Sequence, residues 1–333
     1  MNDQNTLQIN NSQNPSINSK IDLKKRKMKR LLFVLFTIIL VISIITFSII
    51  PPIVMNSMVN GHIYFKKTYS ASEFGIESND IKLTTSDGLK IAAYEVFQPS
   101  PKAVVIFLSG IQNPSVTAFF GHAAMLKKNG YASILCEMRA HGESDGNTIC
   151  VGYKEYLDVR AVVDYIKAND RYNNVPIVVY GLSMGGAVAI NAIGKIPEIN
   201  GLISMSAFSS WEDVFCDNMA NMGIPKIICI IEKPFVKIYT AFKYGLSNTN
   251  ISPKNQIKKL GNRPALIYHS KEDSQILYSS FERITKNVSG KVKVETWVKN
   301  GDYHFPTENI EKPEEDVEYS KHIITFLDSN YAK

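Results

Sequence analysis

Residues Leu31 to Ile50 form an unbroken run of twenty uncharged positions, rich in Ile, Leu, Val and Phe. A helix of that length rises roughly 30 Å, the thickness of a bilayer's hydrocarbon core. A buried core helix would be shorter and would carry a polar face. A cleaved signal peptide would have a shorter apolar stretch followed by a small-residue cleavage site, and none follows here. The run therefore reads as an uncleaved transmembrane signal anchor over 31–50. Charge gives its expected direction. Lys20, Lys24, Lys25, Arg26, Lys27, Lys29 and Arg30 precede it, whereas Lys66 and Lys67 are the first basic residues after it. The positive-inside rule then places the N-terminus in the cytoplasm and everything after the span outside it.

The same cluster explains the basic balance of the whole chain. Of 37 Lys and Arg and 31 Asp and Glu, the first fifty residues hold seven and two, so the remainder is close to neutral. A nucleic-acid footprint should lie on the folded domain, so no nucleic-acid partner is expected. Residues 1–30 read as a disordered basic cytoplasmic tail, their first nineteen dominated by Asn, Gln and Ser. Pro51-Pro52 are expected to stop the helix, with a linker or entry segment over 51–80. Cys136, Cys150, Cys216 and Cys229 allow three full pairings. Cys136 lies in an apolar strand-like run, which favours buried thiols over a disulfide. The chain has no CxxC or HExxH, so no metal and no cofactor is expected.

From Ile81 the chain reads strand, Asp-Gly turn, strand, and then alternates short apolar runs with helical patterns. The runs are Ala103 to Leu108, Ser133 to Cys136, Ile177 to Tyr180, Leu202 to Met205, Ala265 to Tyr268 and Val292 to Val298. Such alternation predicts an α/β domain over 81–333, with a mostly parallel sheet and helices on both faces. The alternation breaks for about fifty residues, which predicts a helical cap inserted over about 209–260. In that cap Ile227 to Ile231 form an uncharged run, followed by Phe235, Ile238, Tyr239 and Phe242 at near-helical spacing. These side chains are expected either to pack the cap onto the sheet or to line an acyl pocket.

One junction carries chemistry. Val178 to Ala187 join a strand to a helix through Gly181-Leu182-Ser183-Met184-Gly185, a GxSxG turn. A serine hydroxyl attacks only when it is presented openly beside a base, and a sharp strand-to-helix turn does that. The same turn puts Ser183 at a helix N-terminus, where free N–H groups can hold an oxyanion. An acid and then a histidine must follow in the chain. Asp273 follows the Ala265–Tyr268 strand and His304 follows the last one, both at strand ends where an open α/β sheet gathers its site. Glu272 and Asp302 compete with Asp273 as the acid. His62, His122, His141, His269 and His322 fit less well as the base by position.

With these residues the chain resembles the α/β-hydrolase superfamily over roughly Lys82 to Leu327. Within it the chain is similar to bacterial hydrolases of the serine aminopeptidase S33-like group, which includes monoacylglycerol lipase-like esterases. Leu108-Ser109-Gly110-Ile111 takes the place of that family's His-Gly loop, with Ser109 for the usual His. The resemblance implies that the N–H groups of Ile111 and Met184 form the oxyanion hole. Glu137 to Ser144 look like the family's D-x-R-G-H-G-x-S loop, with Glu for Asp and Ala for Gly, and Ser206 to Ser210 precede the cap at the family's place. The loop is structural in that family, so Arg139 and His141 receive no catalytic role. The expected activity is that of a membrane-anchored serine hydrolase with a Ser183, Asp273, His304 triad. Carboxylic esters are expected first among its substrates, then peptides, then thioesters. An acyltransferase or a catalytically silent binding protein on the same scaffold are the other readings.

Overall fold

The computed structural model describes residues 15–289 and 294–332. The first part of the tail, residues 1–14, lies outside the described residues. The chain divides into two units, residues 1–50 and 51–333. The first contains most of helix α1 (Pro15–Val59), whose apolar stretch reaches a mean hydropathy of 2.9 and buries none of its side chains. It is long and apolar enough to cross a membrane. Two expectations are corrected here. Residues 15–30 are helical rather than disordered, and the helix runs through Pro51-Pro52 to Val59.

The second unit shows why the helix does not stop at the prolines. Pro51, Met55 and Val59, four residues apart and therefore on one helical face, are buried. Met55 S accepts from Trp211 Nε1 at 2.8 Å, Tyr239 Oη donates to Asn56 Oδ1 at 2.6 Å, and Ile149 N donates to Val59 O at 2.9 Å. Packing and hydrogen bonds offset the missing proline N–H groups, and residues 51–80 are an integral part of the domain rather than a free linker. The four cysteines are buried free thiols.

Eight strands make one sheet in the order β1 (Asn79–Thr84), β2 (Lys90–Val96), β4 (Ala132–Cys136), β3 (Val104–Leu108), β5 (Ile177–Leu182), β6 (Gly201–Met205), β7 (Ala265–Ser270), β8 (Val294–Lys299). The β1–β2 and β2–β4 pairs are antiparallel and the rest parallel. Strands β3 to β7 are buried along their whole length, which is why they read as continuous apolar runs rather than alternating ones. Alternate residues face opposite sides. Val105, Phe107, Leu135, Tyr180, Met205 and Tyr268 join one core with helices α2 (Phe120–Lys128) and α9 (Val317–Tyr331). Helix α3 (Tyr156–Ala168) packs on α4 (Met184–Lys195), which lies against β3, β5 and β6. This is the α/β-hydrolase fold that the resemblance implies.

The cap enters between β6 and β7, as α5 (Trp211–Asn221), α6 (Lys226–Tyr244) and the short α7 (Pro253–Gln256). Asp213, buried on α5, receives Lys233 Nζ at 2.7 Å and Lys254 Nζ at 2.6 Å, and the two ammonium groups hold its carboxyl well below the usual range despite burial. The Tyr244 ring stacks on Tyr153 with centroids 5.2 Å apart. The acyl-pocket and core-packing expectations for the apolar cap residues both fail for six of them. Ile227, Ile228, Ile230, Ile231, Ile238 and Phe242 are exposed, and of the five-residue run only Cys229 is buried.

Phe107 on β3 touches Phe119 and Tyr180, with ring centroids 5.2 and 5.0 Å away, at the centre of the core beneath the site. Phe107→Ala is expected to cost about 3–5 kcal/mol, lowering the Tm of the detergent-solubilised full chain by roughly 10 °C. An unchanged Tm in thermal denaturation would contradict this packing.

Candidate active site

Strand β5 ends at Leu182 and α4 begins at Met184, so the chain reverses direction within one residue. Ser183 makes that turn with φ 55° and ψ −118°, a conformation that strains any residue with a Cβ. Its N–H donates to Met205 O at 2.8 Å and its C=O accepts from Ala187 N at 3.1 Å, so strand and helix hold it from both sides. The flanking glycines make the approach possible. A Cβ on Gly181 would overlap Gly185 O, and a Cβ on Gly185 would overlap the carbonyl oxygens of Leu108 and Ser109. Ser183 is part-exposed while Met184 behind it is buried.

Asp273 lies three residues beyond β7, and His304 five residues beyond β8. The structure brings them together: His304 Nδ1 lies 2.8 Å from Asp273 Oδ2, with both side chains buried. The other carboxylate oxygen, Oδ1, accepts from the backbone N–H groups of Gln275 and Ile276, each at 2.9 Å. That leaves Asp273 oriented with its second oxygen on the imidazole. The histidine backbone is fixed as well, since Ser206 Oγ donates to His304 O at 2.6 Å and Tyr268 Oη donates to Tyr303 O at 2.9 Å. Ser206 directly follows Met205, the residue that anchors Ser183, so one strand end holds both halves of the site. Among the described residues the Ser183 hydroxyl makes no hydrogen bond, to His304 or to any other group. Bonds of this kind are commonly long before substrate binds.

The competitors for the acid point elsewhere. Glu272 accepts from Gly301 N, and Asp302 Oδ1 accepts from Ser274 N at 3.0 Å; both tie the β7 and β8 loops together. His269 bonds Ile276 O at 2.7 Å and stands 3.6 Å from Asp273; burial lowers its pKa, so it is a neutral neighbour of the pair. His122 is fully buried against Tyr319 Oη at 2.7 Å, and burial pushes its pKa down to about 3. His322 stacks on Trp297.

Ile111 and Met184 flank the serine. Gly110 is placed so that a Cβ there would come within 3.8 Å of Ser183 Cβ. Among the described residues neither the Ile111 nor the Met184 N–H has an acceptor, which leaves both free to donate to a bound oxygen. The Glu137–Ser144 loop sets the Ile111 position, because His141 Nε2 bonds Ile111 O. The loop is itself tied down by Arg139, paired with Asp87 and Asp158 at 2.7 Å each, and by Ser144 Oγ, which accepts from Ala92 N at 2.8 Å. Sequence reasoning left His141 without any part in the site. Its contact spans thirty residues, and only the family's loop pattern hinted at it. A groove of 1310 Å³ lined by Asn113, Pro114, Ser274, Gln275, Tyr303 and His304 opens beside the histidine, and Ser183 is not in its wall.

Comparison with known proteins agrees with this architecture. Residues 99–258 match the family described as serine aminopeptidase, S33, a stretch that includes Ser183 and the Ile111 loop and ends before Asp273. The protein YqkD of Bacillus subtilis is 23% identical over 234 residues, 69% of this chain and 73% of that one. The protein bem46 of Schizosaccharomyces pombe is 29% identical over 149 residues, 43% of this chain and 48% of that one. Among solved structures, an esterase of Pyrococcus furiosus superposes with a TM-score of 0.63 at 22% identity, covering 82% of this chain and 98% of that one. An acylaminoacyl peptidase of Pyrococcus horikoshii superposes with a TM-score of 0.56 at 15% identity, covering 80% and 43% respectively.

Glu137 anchors the same loop from a buried position, and burial raises its carboxyl to about 7 from the ordinary 4.5. The folded state therefore prefers the protonated acid, and its stability falls as pH rises from about 4.5 to about 7, then levels off. Glu137→Gln is expected to leave the Tm near that of the parent at pH 4.5. At pH 8 it should be more stable by up to about 3 kcal/mol. Parallel Tm profiles for the two proteins would contradict a carboxyl whose charged form is disfavoured by burial.

Proposed function

We propose that this α/β-hydrolase chain is a membrane-anchored serine hydrolase that cleaves carboxylic esters through an acyl-enzyme intermediate. The observation that carries the reading is the buried Asp273–His304 pair at 2.8 Å, set at the same sheet edge as a serine held in a strained, part-exposed turn. In the proposed mechanism His304 Nε2 takes the Ser183 proton as Oγ attacks the ester carbonyl. Asp273 keeps the proton on Nδ1 and stabilises the imidazolium. The carbonyl oxygen becomes an oxyanion facing the free N–H groups of Ile111 and Met184. Collapse breaks the C–O bond of the ester, and His304 returns its proton to the departing alcohol. Water, activated by the same imidazole, attacks the acyl-serine and releases the acid.

Residues 31–50 are read as the anchor, with the catalytic unit on the outer side because the basic cluster precedes the span. Resistance of the full chain to alkaline carbonate is expected for an uncleaved anchor, and its release would point to a cleaved signal sequence. Protease added to intact cells is expected to remove the catalytic unit; full protection would reverse the topology.

Ser183→Ala is expected to abolish turnover and fluorophosphonate labelling while leaving the Tm unchanged or raised, since it relieves no packing and adds no volume. The loss in kcat should be on the order of 10⁴-fold or more, similar for His304→Ala and somewhat smaller for Asp273→Asn. Near-parental activity in Asp273→Asn with loss in Glu272→Gln would move the acid to Glu272.

A peptidase reading is favoured by the description of the matching family, and the peptidase neighbour shares the scaffold. Assay across acetyl to octanoyl esters and aminoacyl amides decides between them. Ester hydrolysis with kcat/KM at least about tenfold above that for amides is expected. The reverse order would make the chain a peptidase.

A further inference from the structure

We propose that the outer face of cap helix α6 lies on the surface of the bilayer. The proposal rests on the anchoring of residues 31–50 put forward above. A helix on the surface of a folded domain normally turns its apolar stripe inward and its polar face to water. Helix α6 departs from this pattern. Its buried positions are Cys229, Glu232, Val236, Thr240, Ala241 and Tyr244, a set that includes a carboxyl and two hydroxyls. Its opposite side presents Ile227, Ile231, Pro234, Ile238 and Phe242. At 3.6 residues per turn these five fall within an arc of about 80° and run the length of the helix. Ile227 is 64% exposed, Ile238 54% and Phe242 78%. Isolated exposed apolar residues are ordinary on a protein surface, whereas a continuous row marks a partner.

The charges beside the row suit a lipid surface. Lys226 and Lys237 are exposed along one edge of it, and Glu232, the helix's single acid, is buried. An apolar face edged by lysines is the pattern of a helix lying in the interfacial plane, with anionic headgroups opposite the ammonium groups.

Chain connectivity names the occupant. Pro51 follows directly on the apolar run, and residues 51–60 bond to the cap through Met55 with Trp211, Asn56 with Tyr239, and Asn60 with Lys243. Two of those three contacts are to α6 itself. The nine helical residues Pro51–Val59 extend only about 14 Å, so the C-terminal half of α6, which carries Tyr239 and Lys243, is tethered close to the point where the chain leaves the apolar run. Ile53 and Val54 in the tether are exposed as well.

The test uses the full chain reconstituted into phosphatidylcholine vesicles containing phosphatidylglycerol. Single thiols are introduced by Ile231→Cys, Phe242→Cys or, on the edge strand β1, Asp80→Cys, and labelled with a nitrobenzoxadiazole fluorophore. The four native thiols are buried, and the unsubstituted chain carried through labelling is the blank. Doxyl-labelled phosphatidylcholine is expected to remove more than about half of the emission at 231 and 242 and little at 80, with aqueous iodide showing the reverse. Quenching at 231 and 242 by iodide alone, in a chain that resists alkaline carbonate, would overturn the docking and leave the anchor standing. Release by carbonate would overturn the anchor and the docking with it. Protection from both quenchers, with concentration-dependent cross-linking through position 231, would assign the row to a second copy and overturn the proposal.

Discussion

The backbone of Ser183 is forced into a conformation that strains an L-residue, and the surrounding structure holds it there. The turn exists because β5 and β6 are paired in parallel, which lets Met205 O hold the Ser183 N–H, and because α4 packs directly over the strand it follows. Both conditions need bare glycines at 181 and 185, where any side chain would meet backbone carbonyl oxygens. Strain stored at one residue is possible only where neighbours over-determine it. The fully buried central strands supply that rigidity, and a part-exposed serine at the turn is its result.

The rest of the site is assembled by reuse of the same strand ends. Met205 holds the serine and the adjacent Ser206 holds the His304 backbone, so a displacement of β6 would move Ser183 and His304 together. Asp273 is fixed independently by two amides of its own loop. Around the serine, a buried polar loop fixes the backbone of the Ile111 segment. His141 reaches from that loop to the Ile111 carbonyl, and Arg139 ties the loop to α3 and to the β1–β2 turn through Asp158 and Asp87.

The cap has a division of labour that its composition conceals. Helix α5 buries its apolar residues and holds α6 through Asp213 and Lys233, and Tyr244 of α6 stacks on Tyr153, while six apolar residues of α6 are exposed. A cap built this way does not need its outer isoleucines for its own cohesion. That is the physical reason to look for their partner outside the protein.

Much of this was legible in the sequence because it depends on local chemistry. The twenty-residue uncharged run, the alternation of apolar runs with helices and the GxSxG junction each follow from periodicity or from what glycine permits, and the order Ser183, Asp273, His304 is visible along the chain. Other features depended on packing between distant segments. Pro51-Pro52 read as a helix stop, yet Met55 and Val59 find buried partners at Trp211 and Ile149, and the helix continues. The choice of Asp273 over Glu272 and Asp302 turns on which carboxylate faces the imidazole, a matter of loop geometry that spacing does not encode. The isoleucines of α6 read as core because apolar helical runs usually are. Which way a helix faces is set by what it packs against, and only the tertiary structure turned that row toward the outside.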